Sequence, residues 1–533
     1  LNYKSSLSLI DGFDTFANFI YLNNGGTFSG VGGGEDREAL EGYFMRANYV
    51  FDNKYYVTGS VRTDGSSKFK EMDKRWGVFW SVGGAWRISA ENWMQSASSW
   101  LTDLKIRADY GVIGNQSGIG RYSGYQTWSY GATGYTTPGS YAPKGWKLTQ
   151  NAAPNTALTW EKRKTVDVGL DFRLWDRFYG TLDWYQTNTT DLLMSAPISY
   201  AMAGQTSLLQ NVGELRTRGF EFDLGVDIIK TPDILWSFGV NGAHYKVKMM
   251  KAPESMINQE DALHSQKWWY ATADAWNAVG NTGSGSAAAY RRWIGGDYYN
   301  VISAKYMGVD KTTGLPLFGA LVTKDNQNKF PDAKVGEVVA TTDYSEAYMF
   351  DQGDATPDLM GGFSTSFRWK DLDFSAQFAF QIGGKFFSNL YGNFLYDSGN
   401  LGARIMSADL LGNTFNAENT NAKFPMLMKY PANGSTTYLG GIRVGTGNTY
   451  SDLAMFDASY LSVKNITVGY NFPQKWMDKI GIGGIRVYAS LDNMWLICRN
   501  GIDPRNSIVG GFDVGGFTYP MMRSCSLGVN VTF

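Results

Sequence analysis

The sequence predicts an all-β fold: a transmembrane antiparallel β-barrel with short periplasmic turns and long extracellular loops. Three observations carry that expectation: an amphipathic final strand, period-two patterning along the chain, and connections that are alternately short and long. The chain ends Cys525-Ser526-Leu527-Gly528-Val529-Asn530-Val531-Thr532-Phe533, with Leu527, Val529, Val531 and the aromatic Phe533 on one face and small or polar residues on the other. A transmembrane strand needs about 9–11 residues of that alternation. An edge strand of a soluble sandwich would look similar, so the remainder of the chain has to separate the two.

Composition narrows the choice. Aromatic residues make up 15% of the 533 residues, glycine is abundant at 63, and net charge is -1. Mean hydropathy is only -0.27, which is what one apolar and one polar face average to, and tyrosine and tryptophan at two water interfaces raise the aromatic share. No stretch approaches the ~18 consecutive apolar residues of a membrane helix. The balanced charge leaves no nucleic-acid footprint. Two cysteines, Cys498 and Cys525, are too few for a disulfide scaffold or a zinc site, and they read as isolated small residues near the last hairpin.

Walking along the chain, the pattern predicts strands over Tyr43 to Phe51 and Lys54 to Thr63, joined by the tight-turn pair Asp52-Asn53. The polar run Asp64 to Lys68 then leads to a strand over Val78 to Ile88, and Arg107 to Gly111 precedes a long Gly-, Tyr- and Trp-rich connection that reaches Trp160. Thr165 to Phe172 turns through Leu174-Trp175-Asp176-Arg177 into Tyr179 to Met194. Phe220 to Ile228 meets Leu235 to Val247 across Lys230-Thr231-Pro232-Asp233, and Phe363 to Trp369 meets Leu372 to Phe387 across Lys370-Asp371. A sandwich has no reason to keep every second connection short, whereas a membrane barrel does. About fourteen spanning strands are expected, the first near Leu1 to Ile10.

These stretches also carry recognisable motifs. Asn48-Tyr49-Val50-Phe51-Asp52-Asn53-Lys54-Tyr55-Tyr56, Arg62-Thr63-Asp64-Gly65-Ser66-Ser67-Lys68-Phe69, Leu104 through Gln116, Trp160-Glu161-Lys162, Asn211 through Glu221, Gly308 through Pro316 and Tyr460 through Tyr470 fall in the order found in one family. The chain resembles the SusC/RagA family of TonB-dependent outer-membrane transporters over nearly its whole length. That resemblance implies a barrel of about 22 strands, plugged by an N-terminal domain with a TonB box and capped by a SusD-like surface lipoprotein that opens as a lid. It implies import of oligomeric nutrients, glycans or peptides, with no cofactor, and assemblies that often contain two transporter–lipoprotein pairs.

The sequence shows no plug, TonB box or signal peptide. The expectation is therefore that residues 1–533 are the C-terminal part of the receptor barrel, either a piece of a larger polypeptide or paired with a second chain. Contact with the TonB complex would run through the missing N-terminal region, and membrane lipid would cover the apolar face. A passive porin, and a surface adhesin or assembly component, remain the alternatives.

Candidate contacts for substrate or lid lie in the aromatic external segments: Trp268, Trp269, Tyr270, Trp276, Trp293, Tyr298 and Tyr299 in the longest one, with Tyr125 and Trp128 in another. Flat rings suit sugars and peptide side chains. Packing of the loops, or contact with the lipoprotein, weighs more heavily, because aromatics anchor protein interfaces too. Trp80, Trp86, Trp93 and Trp100 read as interfacial girdle residues. An enzyme is not indicated: His244 and His264 are the two histidines, and neither lies beside a nucleophile motif. Asp351, Asp354 and Asp358 lack the fixed loop pattern of a calcium site, and no metal site is expected.

Phe533, Val531, Val529 and Leu527 form the expected membrane-insertion signal. Replacing Phe533 by a charged residue should lower the amount of protein in the outer membrane, measured by quantitative immunoblotting of membrane fractions; unchanged levels would count against the barrel.

Overall fold

The computed structural model describes residues 2–6, 11–13, 25–27, 32–133, 145–150, 153–203, 205–257, 259–260, 267–271, 289–388, 391–392, 395, 407–426, 437–439, 442–444, 451–499, 501–505, 508–513 and 521–533. One antiparallel sheet of thirteen strands dominates. Its strands are β1 (Leu40–Phe51), β2 (Tyr55–Ser66), β3 (Trp76–Arg87), β4 (Leu101–Asn115), β5 (Glu161–Leu174), β6 (Phe178–Pro197), β7 (Ser207–Lys230), β8 (Ile234–Lys251), β9 (Leu359–Trp369), β10 (Leu372–Ile382), β11 (Tyr460–Asn471), β12 (Gly484–Cys498) and β13 (Ser524–Thr532). Each of the inner strands pairs with the one before and the one after it in this series, while β1 pairs only with β2 and β13 only with β12, the up-and-down order of an outer-membrane barrel wall. Among the described residues, no helix is long and apolar enough to cross a membrane.

Register keeps one face apolar from strand to strand. Val168 lies between Ala108 and Trp184, Leu224 opposite Val240, and Val240 opposite Phe363. Phe363 in turn faces Phe378, their rings stacked 4.4 Å apart. Further on, Phe374 faces Val468, Val468 faces Ala489, and Ala489 faces Leu527. Because side chains alternate strictly, a slip of one residue would turn such a row inward. The opposite face carries Asp103, Lys105, Arg107, Asp167, Asp171 and Asp183 in the same part of the sheet. Lipid on one side and water on the other account for both faces.

The short turns follow from local chemistry. Asp52 and Asn53 both sit at φ 51°, and Trp175 and Asp176 at φ 50° and 57°. The amides of Lys54 and Arg177 donate to Phe51 and Leu174 carbonyls at 3.0 Å, closing type I′ turns that match the twist of the flanking strands. At this rim Trp86, Trp93, Trp100, Trp175, Trp369 and Trp476 are all exposed, an aromatic girdle at the periplasmic interface. Trp80 is also exposed but lies toward the opposite end of β3. Two periplasmic connections, 88–100 and 472–483, are longer than simple turns and contain short helices.

Three expectations change. Residues 2–6 do not open the large sheet; Asn2–Ser6 pairs with Gly32–Asp36 in a separate two-stranded sheet. Five residues are too few to span the hydrocarbon. The strand expected over Leu372 to Phe387 stops at Ile382, and Lys385–Phe387 joins another sheet, pairing with Met455–Asp457. Gly383 and Gly384, at φ 73° and 81°, make that break, because residues with a Cβ avoid the left-handed region. The strand expected over Phe220 to Ile228 is far longer, running from Ser207 to Lys230. Its outer half carries loop contacts described below.

The two border strands differ from all the others. Every residue of β1 is exposed, and so is every residue of β13 except Gly528, with Leu527 at 82% and the terminal Phe533 that follows it at 96%. Cys525 pairs with Leu491, so Cys498 lies far along the neighbouring strand and both thiols are free.

Gly384→Ala should destabilise the fold by about 1–2 kcal/mol, since an added Cβ would also sit 2.9 Å from the Ala355 carbonyl. A lower unfolding temperature in detergent, with the lipid-facing pattern intact, is the expected result.

Candidate functional site

Several sequence motifs meet at the extracellular ends of β4 to β7. The Glu161 carboxylate accepts from Asn115 Nδ2 at 2.6 Å and from the Leu193 amide at 3.1 Å. Asn211 accepts from the Thr159 amide at 2.9 Å and donates to the carbonyls of Thr159 and Asp191 at 2.9 and 2.8 Å. Trp160 donates its indole N–H to the Arg75 carbonyl at 3.1 Å. Its ring packs with Phe69, Phe79, Ile119 and Leu158 in a buried cluster. Thus Asn115, Trp160-Glu161 and Asn211, far apart in the chain, fasten the bases of successive extracellular loops to one another. A buried carboxylate and a half-buried amide so fully bonded fix one loop arrangement.

A second core lies over the strands β8 to β13. Tyr290 and Val301 come from the connection between β8 and β9, Phe387 and Ala454 from that between β10 and β11, and Phe512 from that between β12 and β13. Their side chains form a single buried cluster. Small extracellular sheets support it: Ala289–Arg292, Asn300–Ala304 and Met349–Asp354 pair in succession, and Tyr306–Val309, Pro316–Leu321 and Val338–Thr341 form another. The motif from Gly308 to Pro316 is the hairpin of the latter, where the Asp310 carboxylate accepts from the Thr312 amide at 2.8 Å. That hydrogen bond holds the Asp310 carboxyl below its usual range.

The expected contact residues distribute as follows. Tyr299 packs against the buried cluster, and Tyr298 meets it edge to face at 4.9 Å. The Arg292 guanidinium lies 3.7 Å from the centre of the Tyr298 ring. Trp293 is half-buried beside them. Trp268, Trp269 and Tyr270 fall on the strand Lys267–Ala271, which pairs with Ala289–Arg292; Trp276 and His264 lie outside the described residues. Tyr125 is half-buried, with Lys70 Nζ 5.8 Å from its ring centre, and Trp128 is 52% exposed. His244 donates from Nδ1 to the Asp358 carbonyl at 2.6 Å.

The aspartates considered for calcium have cationic or amide neighbours instead. Asp351 accepts from Asn300 Nδ2 at 3.0 Å and Arg291 Nη1 at 3.4 Å. Asp354 and Asp358 share Lys246 Nζ at 3.2 and 3.6 Å. Among the described residues, no group of acidic, histidine or cysteine side chains is arranged to hold a metal ion.

The polar face of the wall is knitted by ladders of hydrogen bonds and ion pairs. Arg107 reaches Asp171 at 3.2 Å, Asp167 at 3.4 Å, and Asp183 two strands away across Gly169. A side chain at Gly169 would occupy the space of that crossing contact. Arg486 meets Asp373 at 2.6 Å, and Asn465 donates to Asp492 at 2.6 Å. The period-two pattern of the sequence places Asp167, Asp171 and Asp373 on the lumenal face but does not say which partners they find.

Sequence reasoning also missed a cavity of about 420 Å³ at the extracellular rim, lined by Gln352, Lys385, Asp452, Met455, Phe456, Asp457 and Arg499. The Ser459 hydroxyl and amide lower the Asp457 carboxyl, whereas burial pushes Asp452 up, opposed by the Tyr306 amide that donates to it at 2.8 Å.

Comparison with known proteins decides the family. The family model described as TonB dependent receptor-like, beta-barrel, matches residues 2–494. The chain belongs to that family. TonB-dependent receptor P3 of Formosa agariphila is 29% identical over 93% of this chain and 45% of its own length. TonB-dependent receptor SusC of Bacteroides thetaiotaomicron is 27% identical over 93% of this chain and 44% of its own. Among solved structures, the RagAB peptide transporter superposes with a TM-score of 0.71 and 26% identity, covering 97% of this chain and 50% of the other. The chain spans less than half the length of these curated relatives, and its sheet is an outer-membrane β-barrel wall. The matched proteins are receptors and transporters rather than enzymes.

Asn211→Ala should cost about 1–3 kcal/mol by leaving the Thr159 amide and carbonyl unpaired, read as a lower unfolding temperature and faster proteolysis of the extracellular loops. At Asp452 the sign is opposite to that of an ion-paired carboxylate. A raised carboxyl favours the folded state while protonated, and that stability is lost as pH climbs from the unfolded value through the folded one. Asp452→Asn should abolish this loss, so its unfolding temperature should fall less than that of the unsubstituted protein as pH rises across that window.

Proposed function

We propose that this chain forms much of the barrel wall and extracellular platform of a SusC-like TonB-dependent importer of oligomeric nutrients, glycans or peptides. A SusD-like surface lipoprotein serves as its lid, and the TonB complex acts through a region N-terminal to the segment described. The observation that carries this reading is the agreement with the RagAB peptide transporter over 97% of the chain, which takes in the extracellular cap as well as the strands. The polar ladders around Arg107 and Asp373 suit a wall facing a water-filled or plug-filled lumen. The buried cluster joining three extracellular connections gives a lid a firm surface to close on. The aromatic residues Trp268, Trp269, Tyr270, Trp276, Trp293, Tyr298, Tyr299, Tyr125 and Trp128 belong to this platform, as contacts for substrate or for the lid. Two such pairs assemble into a dimer.

Uptake of the native substrate by cells should stop when the proton-motive force is collapsed and when the partner lipoprotein is deleted. Uptake that survives collapse would favour a passive porin. Undiminished uptake after deletion of the transporter itself, with loss of surface binding, would favour an adhesin.

A further inference from the structure

We infer that the rim cavity is a subsite for a carboxylate-bearing peptide, a proposal that rests on the import reading and narrows its substrate. Three adjacent strands deliver its charged groups: Lys385 follows β10, Asp457 precedes β11, and Arg499 follows β12. Lys385 Nζ and Arg499 Nη1 lie 3.7 and 3.3 Å from the same Asp457 oxygen. Two cations thus share one carboxylate, and that carboxylate is held ionised chiefly by Ser459. The Arg499 side chain is 74% exposed, so most of its planar fork is open to a ligand. A guanidinium with free N–H groups takes a carboxylate through two parallel hydrogen bonds.

The rest of the lining favours a peptide over a sugar. Asp457 stands within the same cavity as an acceptor for backbone or ammonium N–H groups. Met455 supplies a flexible, polarisable surface that adapts to varied apolar side chains. Phe456 is fixed edge to face against Tyr391 at 5.0 Å and beside Phe386 at 5.6 Å. The lining has neither tryptophan nor tyrosine to stack on a pyranose ring. A volume of about 420 Å³ suits one or two residues of a longer chain.

The test uses the whole transporter with its partner lipoprotein, purified from native outer membranes, and titration calorimetry. The probes are a synthetic hexapeptide containing one aspartate, the same peptide with asparagine there, and an oligogalacturonate. The aspartate peptide should bind at least about tenfold more tightly than its asparagine counterpart. Arg499→Gln should erase that preference while leaving the asparagine peptide unaffected, and Lys385→Gln should reduce it. Equal binding of the two peptides, or an aspartate preference that survives both substitutions, would overturn the subsite. So would Arg499-dependent binding of oligogalacturonate with none of the peptide. The two levels of the reading fail separately. Energised uptake of another oligomer by cells carrying Arg499→Gln, with no peptide preference in the unsubstituted protein, would sink the subsite alone. An Arg499-dependent preference without any energised uptake would sink import and leave the subsite standing.

Discussion

Backbone pairing in hydrocarbon is the constraint on which everything else in this molecule depends. An amide or carbonyl without a partner costs several kcal/mol where no water can reach it. Strands that span the bilayer must therefore pair on both sides, and the cheapest connectivity joins each strand to its successor. The eleven inner strands obey this, each paired on both sides, and only the borders β1 and β13 have a single partner. The constraint also explains why β1 and β13 look unlike the others: all of β1 is exposed, because the neighbour that would cover its outer edge is not among these strands.

Once the strands are fixed in register, their two faces acquire separate chemistry. The outer face needs only apolar bulk, which rows such as Phe363 with Phe378 supply. The inner face needs charge without loose ends, and it solves this by crossing strands. Arg107 reaches over Gly169 to Asp183, and Arg486 passes Gly469 to reach Asp373. In both cases the missing side chain on the middle strand leaves room for the pair. The extracellular side follows a different logic. Long connections cannot rely on a bilayer, so they build small cores of their own, one around Trp160 and another around Phe387 and Phe512.

The alternation of Leu527, Val529, Val531 and Phe533 is legible because a strand with lipid on one face writes its environment directly into every second residue. The turn pair Asp52-Asn53 was legible for the same local reason, since few residues accept positive φ. The candidate aromatics were less so. Tyr298 and Tyr299 could be assigned to an extracellular segment, but their packing against each other and against Tyr290 depends on contacts from remote loops. Glu161 and Asn211 stood out as motif residues, yet nothing local reveals that one holds Asn115 and the other Thr159.

By itself, the sequence determined the fold class, the sidedness of the turns and loops, the apolar face and the family, because each is written in short-range periodicity or in motif order. The tertiary structure decided the rest: the break at Gly383-Gly384, the crossed ion pairs of the lumenal face, the fastening of the loops by Glu161 and Asn211, and the cavity that joins Lys385, Asp457 and Arg499. Those features arise where residues distant in the chain meet, and a one-dimensional pattern carries no record of which distant partners close the distance.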